Sequence, residues 1–230
     1  MKSCSGASRS VASSAATAPA FVGALGLDPA PDTAHIPLML IEIEPTPNPA
    51  TRKFLPGRTV MDTGGRDFPN AQAAQASPLA EALFAIGNID GVYFGRDFIS
   101  VSAAAGADWP SLEADVLTLL LDHFTLDAPL FRQGSAAGIE VAPNDGFDHI
   151  DDPADADIID QIKDLLETRV RPAVANDGGD IVYRGYRKGK LFLVMQGACA
   201  GCPSSAVTLK RGIETLIKHY VPEVESVEAV

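Results

Sequence analysis

The sequence predicts an α+β fold in which two small α/β domains are joined by a flexible acidic linker. On each side of the linker, segments alternate as strands do or repeat apolar residues with helical spacing. The stretch between them is rich in Gly, Pro and Asp, which is typical of a linker. The predicted parts are a disordered leader or non-native extension (1–38), a first domain (39–128), the linker (129–155) and a second domain (156–230).

The first domain is predicted to run in the order strand, strand, helix, strand, strand, helix. MLIEIE and RKFLPG are short alternating segments, and GVYFGRDFISVSAA is typical of two further strands joined by a turn. Ser77 followed by Pro78 predicts the start of the first helix, because serine caps a helix and proline fits its first turn. Asp108 is predicted to cap the second helix.

The second domain is predicted to run in the order helix, strand, strand, helix, strand. ADIIDQIKDLLETRVRPAV indicates a helix that Pro172 ends or bends. A hairpin follows in NDGGDIVYRGYRKGKLFLVMQG, then a helix after the cysteines, and VESVEAV is the predicted final strand. The predicted apolar stripe of the first helix consists of Ile158, Ile162, Leu165, Leu166 and Val170.

Composition argues against two classes of partner. The net charge of −12 over 230 residues argues against a protein that binds nucleic acid through its phosphates. No segment approaches the ~20 apolar residues that a membrane-spanning helix needs, so no membrane partner is predicted. Nine acidic residues and one lysine between positions 140 and 164 predict a solvated linker.

The leader decides the predicted localisation. It is rich in Ala, Ser and Pro and has no acidic residue before Asp28, as in organellar transit peptides. Lys2 and Arg9 are its only cations, however, which is few for that role. We therefore predict a cytoplasmic bacterial protein, with the mitochondrial matrix as the alternative if residues 1–38 are a transit peptide.

The candidate functional residues are Cys199 and Cys202, in the sequence MQGACAGCPSS. They lie in the predicted turn between a buried strand and a helix that Pro203 opens. Because a helix N-terminus stabilises anions, both sulfurs are expected to have enhanced thiolate character. The third cysteine, Cys4, lies in the leader, so the count argues against a disulfide framework.

A C-x-x-C pair fits three kinds of chemistry. A thioredoxin-type redox pair also lies at a helix N-terminus, but that fold has a later cis-proline, and here only Pro222 follows the helix. A zinc site needs four ligands, and His219, several turns along the helix, does not complete one. A two-fold dimer supplies four thiolates, the number that an iron–sulfur cluster needs, although zinc fits the same dimeric cage.

At this point the chain resembles a known family. VRPAVANDGGDIVY and MQGACAGCPSSAVTLKRGIETLIKHYVPEVESVEAV resemble the C-terminal domain of NifU-like (Nfu-type) iron–sulfur cluster scaffold and carrier proteins. The pattern is Arg-Pro, then Asp-Gly-Gly-Asp, then Gly-x-Cys-x-x-Cys-Pro-Ser-Ser. MLIEIEPTPNPATRKFLPG and ALFAIGNIDGVYFGRDFISV resemble the N-terminal domain of the two-domain members.

The resemblance implies a scaffold or carrier that is not an enzyme. It implies that Cys199 and Cys202 from two subunits hold a [4Fe–4S] cluster, with [2Fe–2S] as the alternative, so a homodimer is expected on cluster loading. The implied partners are an upstream cluster donor and apo iron–sulfur proteins as recipients. Asp177 to Asp180 are expected to shape a turn without acting as ligands. A thiol–disulfide oxidoreductase remains the alternative function.

The linker composition also predicts how the domains share the work. An acidic, Gly- and Pro-containing tether is expected to leave the two domains loosely coupled. Residues 155–230 alone are then expected to fold, to dimerise on loading and to hold the cluster. The first domain is expected to choose or position recipients.

Overall fold

A computed structural model describes residues 40–134, 151–200 and 203–230, with the backbone alone for 203–206. Helices and sheets occur in both domains, so the predicted α+β class is confirmed. Both sheets belong to one compact unit of the chain. The predicted leader and the middle of the predicted linker, residues 135–150, lie outside the described residues, and the domain boundaries stay predictions.

The first domain is built on an antiparallel sheet with the strand order β1-β2-β5-β4-β3. Its elements are β1 (Glu42–Pro45), β2 (Thr51–Leu55), β3 (Arg66–Phe68), α1 (Ala71–Ala74), α2 (Pro78–Ile86), β4 (Ile89–Phe94), β5 (Ile99–Ala103) and α3 (Trp109–Thr125). The predicted strands and the two longer helices are all present. Sequence reasoning missed β3 and α1, because three or four residues are too few to show a period.

The two faces of this sheet have different characters. One face carries apolar side chains such as Phe54, Val92 and Val101, which form the first core together with residues of α2 and α3. The opposite face carries a line of polar side chains, one from each strand, which are direct neighbours in the strand pairing. We call this line the polar row; in order across the sheet it consists of Glu44, Lys53, Ser100, Tyr93 and Asp67.

The two predicted helix caps of the first domain have different outcomes. The Ser77 hydroxyl accepts a hydrogen bond from the Ala80 N–H at 3.2 Å, so the predicted cap of α2 is confirmed. Asp108 occupies the N-cap position of α3, but its side chain makes no capping hydrogen bond. The prediction that Asp108 caps through its carboxylate is therefore wrong.

The second domain is a three-stranded sheet packed against helices. Its elements are a 3₁₀ turn (Pro153–Asp155), α4 (Ala156–Leu165), a π-helical turn (Leu166–Val170), α5 (Arg171–Asn176), β6 (Gly179–Arg187), β7 (Lys190–Gly197), α6 (Pro203–Tyr220) and β8 (Ser226–Ala229). β6 and β7 form the predicted hairpin, and α6 carries the chain across so that β8 lies parallel to β7. This crossover places the turn that holds Cys199 at one end of the sheet.

Pro172 does not end the first helix of this domain. The helical path continues to Asn176, because the π-helical turn widens the backbone just before the proline and Pro172 then falls in the first turn of α5. The buried stripe also differs from the prediction. Ile159 and Val174 are buried together with Ile162, Leu166 and Val170, whereas the predicted Ile158 and Leu165 are only partly buried.

Both described ends of the predicted linker are bound to the domains. The Asp151 carboxylate accepts hydrogen bonds from the Tyr183 hydroxyl at 2.6 Å and from the Tyr186 N–H at 2.9 Å. At the other end, the Arg132 N–H donates to the Ala76 carbonyl at 3.1 Å. The acidic residues nearest the second domain therefore act as local anchors and caps, which composition alone does not indicate.

The two cap positions of the first domain give a matched test of helix capping. We expect Ser77→Ala to lower the free energy of unfolding by about 1 kcal/mol, since it leaves the buried Ala80 N–H without its partner. Asp108→Ala is the control and is expected to change it by at most about 0.5 kcal/mol, because no side-chain cap is lost. Urea unfolding of both variants measures the difference. Equal losses would contradict the assignment.

Candidate functional site

Cys199 lies in the turn between β7 and α6, as predicted. Its turn is closed by a hydrogen bond from the Ala200 N–H to the Gly197 carbonyl, at 3.0 Å. Gly197 has a φ of +62°, which favours glycine and directs the chain out of the strand. Cys202, the second predicted ligand, lies outside the described residues, so its relation to Cys199 stays a prediction.

The turn that carries Cys199 crosses a second glycine turn at close range. The Ala198 N–H donates to the Gly178 carbonyl at 3.1 Å, which joins the end of β7 to the start of β6. A Cβ at position 179 would lie 2.5 Å from the Cys199 sulfur and 2.7 Å from the Gln196 carbonyl oxygen, so only glycine fits there. We call this contact between residues 176–180 and 197–199 the glycine crossing.

The Cys199 side chain is buried. It is 5% exposed and belongs to the second core. Burial raises the pKa of the thiol to about 12, and the carboxylates of Asp177 and Asp180 add to the rise. The prediction that Cys199 has enhanced thiolate character is therefore wrong for this state, because burial and two nearby carboxylates outweigh the start of α6.

Asp180 anchors the glycine crossing through a partly buried ion pair. Its two carboxylate oxygens accept from Arg171, at 2.9 Å from Nε and 2.6 Å from the terminal nitrogen Nη2. This bond to Asp180 raises the pKa of the guanidinium. Asp180 also accepts from its own strand at the Ile181 N–H, at 2.8 Å. The predicted Arg-Pro and Asp-Gly-Gly-Asp motifs are thus joined, and Asp180 does more than shape a turn.

The polar row of the first domain faces the glycine crossing. Four of its five members make hydrogen bonds to that region, and Glu44 forms an ion pair with Lys53 at 3.1 Å. The bonds are Lys53 Nζ to the Asn176 carbonyl (3.3 Å), Ser100 Oγ to the Gly178 carbonyl (2.5 Å), Tyr93 hydroxyl to Asp180 (3.1 Å) and the Gly197 N–H to Asp67 (3.5 Å). The expectation of loosely coupled domains therefore differs from the structure.

Two further features belong to this contact. Asn48, in the loop between β1 and β2, donates from Nδ2 to the Ala198 carbonyl at 3.3 Å. Burial raises the pKa of Asp67 to about 6, and the Gly197 N–H opposes that rise. Sequence reasoning assigned no partner to Asp67. The sequence shows polar residues in every strand of this sheet. Their alignment across the sheet becomes visible only once the strands are paired.

An apolar cavity of about 560 Å³ lies beside the Cys199 thiol. Residues of the π-helical turn, α5 and α6 form most of its walls, including Val170, Ala173, Leu209 and Ile213. Within the described ranges, no three His, Cys, Asp or Glu side chains gather as a metal site. Nor does any helix of the described chain have the length and apolar character to cross a bilayer.

Comparison with known proteins identifies both domains. A family model for the NifU-like domain matches residues 162–228, and one for the scaffold protein Nfu/NifU N terminal matches residues 41–127. The fold and the cysteine turn thus belong to a protein that joins these two domains in one chain. The chain belongs to the NifU-like (Nfu-type) family, in its two-domain form, and the resemblance is confirmed.

Two relatives identified by sequence agree with this assignment. The chain is 44% identical over 193 residues to the NFU1 iron-sulfur cluster scaffold homolog, mitochondrial, of Drosophila sechellia, covering 84% of this chain and 65% of that protein. It is 45% identical over 192 residues to NifU-like protein 5, mitochondrial, of Arabidopsis thaliana, covering 83% and 67%. The chain therefore spans about two thirds of these relatives. A solution structure of a NifU-like protein from Saccharomyces cerevisiae matches 48% of this chain and 98% of its own, with 18% identity and a TM-score of 0.39.

The glycine crossing makes a sharp prediction for position 179. We expect Gly179→Ala to lower the free energy of unfolding by about 2 kcal/mol or more, because its methyl group would overlap the Cys199 sulfur and a backbone carbonyl. Gly212→Ala is the matched control, since nothing lies within 4 Å of its Cβ position and alanine favours a helix. Urea unfolding should show a loss for the first variant and no loss for the second. Similar midpoints would contradict the close approach.

The burial of Cys199 predicts a slow thiol. In a Cys4→Ser/Cys202→Ser background, we expect iodoacetamide to alkylate Cys199 at pH 8 at least about a hundredfold more slowly than an ordinary exposed thiol, because burial both shields the sulfur and raises its pKa to about 12. The control moves the thiol one residue along, by Cys199→Ala with Ala200→Cys, to an exposed position. Comparable rates at the two positions would show that Cys199 is accessible.

Proposed function

We propose that this chain is an iron–sulfur cluster scaffold and carrier, which holds a cluster between two copies of itself and passes it to apo-proteins. The observation that carries the proposal is the position of Cys199 in the turn between β7 and α6, inside the segment that matches the NifU-like domain. The printed name of the Drosophila sechellia relative, an iron-sulfur cluster scaffold homolog, supports the same function.

The number of thiols supports a shared site. Cys199 and Cys202 are the two cysteines of the second domain, and an iron–sulfur cluster takes four thiolates. Two chains related by a two-fold axis bring the required four together. We propose [4Fe–4S] as the cargo, with [2Fe–2S] as the alternative, since both take the same four ligands.

Cluster binding and transfer then require little beyond the thiols. Cys199 leaves its buried position and loses its proton to solvent as iron binds, because the ligand is the thiolate. On transfer, thiolates of the recipient replace those of this chain one at a time. No general base or substrate pocket takes part, so we propose that the protein is not an enzyme. An upstream donor supplies the cluster, and apo iron–sulfur proteins receive it.

The second candidate function is a thiol–disulfide oxidoreductase. Both functions need Cys199 as a thiolate, which burial and two carboxylates disfavour in the buried state, so the raised pKa of Cys199 does not separate them. An absorption spectrum after anaerobic reconstitution separates the two functions. A broad band near ~400 nm with bound iron and sulfide fits the scaffold. A protein that binds no iron but reduces disulfides fits the oxidoreductase.

The localisation proposed here differs from the main prediction from sequence. Both relatives described above carry the word mitochondrial in their names, which favours the mitochondrial alternative over the bacterial cytoplasm. We therefore propose the mitochondrial matrix. Residues 1–38, on which a transit peptide would depend, lie outside the described residues.

The ligand assignment predicts how iron content responds to substitution. We expect Cys199→Ser and Cys202→Ser each to abolish stable cluster binding, with iron and sulfide per chain falling at least about tenfold, since a hydroxyl is a poor ligand for these metals. In the loaded wild type we expect one cluster per two chains and a dimer by light scattering, with retention that falls on dilution.

Two controls keep this test specific. Cys4→Ser should leave iron content unchanged, and Ala200→Ser adds a hydroxyl at the exposed position next to Cys199 without removing a thiol. Wild-type iron content in the Cys199→Ser protein would refute the ligand assignment. A loaded monomer with a full cluster on one chain would refute the shared site.

A further inference from the structure

The polar row has an unusual place in the first domain. It crosses all five strands of the sheet, on the face opposite the helices. Its central members Lys53, Tyr93 and Ser100 are 7%, 2% and 1% exposed, respectively, although an antiparallel sheet commonly leaves one face to solvent. Their burial comes from two sides: all three make hydrogen bonds to the second domain, and Phe98 of the first domain packs against Tyr93 and Lys53.

The groups that the polar row binds are mostly backbone groups of the glycine crossing. Ser100 donates to the Gly178 carbonyl, and Lys53 donates to that of Asn176. From the neighbouring loop, Asn48 donates to the Ala198 carbonyl. A backbone carbonyl is present whatever the side chain, so this surface recognises the conformation of the crossing. It fits the two turns in their present, closed arrangement.

We propose that the polar row is a docking surface for this chain's own glycine crossing, and that this docking and the sharing of a cluster with a second subunit exclude each other. The proposal rests on the function proposed above. The docked first domain stabilises the arrangement in which Cys199 is buried. Release of the first domain frees the turn to present its thiol.

The geometry gives the reason for the exclusion. The Cys199 sulfur packs against Gly179, and Ala198 beside it is held by both its N–H and its carbonyl. To reach a cluster that a second chain also binds, the thiol leaves this position, and under this proposal the turn that carries it moves as well. Each hydrogen bond from the first domain to the crossing opposes that movement. The second subunit must also approach the same turn.

The experiment compares hydroxyl-deleted variants of the full-length apo-protein. Tyr93→Phe with Ser100→Ala removes two hydroxyls that bind the crossing and leaves the shapes of the side chains almost unchanged. Ser102→Ala is the matched control, two residues along β5, whose hydroxyl bonds to Thr51 within the first domain. The first readout is amide hydrogen exchange of Gly197 and Ala198 at fixed pH. The second is the rate of cluster loading under anaerobic reconstitution.

We expect exchange at Gly197 and Ala198 to become about tenfold or more faster in the double variant, since each lost hydrogen bond is worth roughly two- to tenfold in the opening equilibrium. Cluster loading should accelerate by a similar factor, because both processes draw on the same open form. Ser102→Ala should stay within about twofold of the wild type in both. Asn48→Asp gives a second variant, which keeps the oxygen that accepts from Ala50 and replaces the amide that donates to Ala198.

The outcomes separate the two parts of the proposal. Exchange equal to that of the Ser102→Ala control in both variants would overturn the docking surface. Faster exchange with unchanged or slower loading would overturn the exclusion. If no protein, wild type included, binds iron and sulfide, the function proposed above fails, while the exchange rates still decide whether the first domain holds the crossing.

Discussion

The close approach of two glycine turns is the constraint on which the site depends. Gly178 and Gly197 both have positive φ, and Gly179 leaves room for a sulfur where a methyl group would overlap it. Two backbones that meet this closely carry their polar groups into the interior, where each needs a partner. The Ala198 N–H and the Gly178 carbonyl satisfy each other. The carbonyls of Asn176, Gly178 and Ala198 also accept hydrogen bonds from side chains of the first domain. These bonds hold the two domains in contact.

The same crossing sets the electrostatics around the thiol. Arg171 neutralises one nearby carboxylate, Asp180, while Asp177 adds negative charge close to the sulfur. In this environment a thiolate is disfavoured, but an arriving metal cation is attracted. A neutral, buried thiol is also protected from oxidation and alkylation, since both act on the thiolate. Under the proposed function, the apo-protein therefore keeps its ligand unreactive until iron is present.

Much of this architecture could be predicted from the sequence, because it depends on local signals. The long helices follow from apolar spacing, and the Ser77 cap follows from the residue preferences of helix N-termini. The position of Cys199 between a strand and a helix follows from the same patterns. Each of these features needs only a few neighbouring residues to define it.

The parts that were missed depend on residues far apart in the chain. The burial of Cys199 arises from Gly179 and from helices on either side, so its position near α6 misled the prediction of its pKa. The polar row appears only when five strands are placed in register, since each strand contributes just one of its members. A three-residue strand such as β3 has no period to detect.

The π-helical turn at Leu166–Val170 makes the number of residues in this helix part of the site. Successive helical residues are rotated by ~100° about the axis, so one residue more or fewer in the turn would rotate everything after it by that angle. Arg171 follows the turn directly, and such a rotation would carry its guanidinium away from Asp180. The exposed Thr168 bonds only to the Asp164 carbonyl of the same helix, so its chemistry matters less to the site than the number of residues in the turn. The turn thus sets a fixed spacing along the chain.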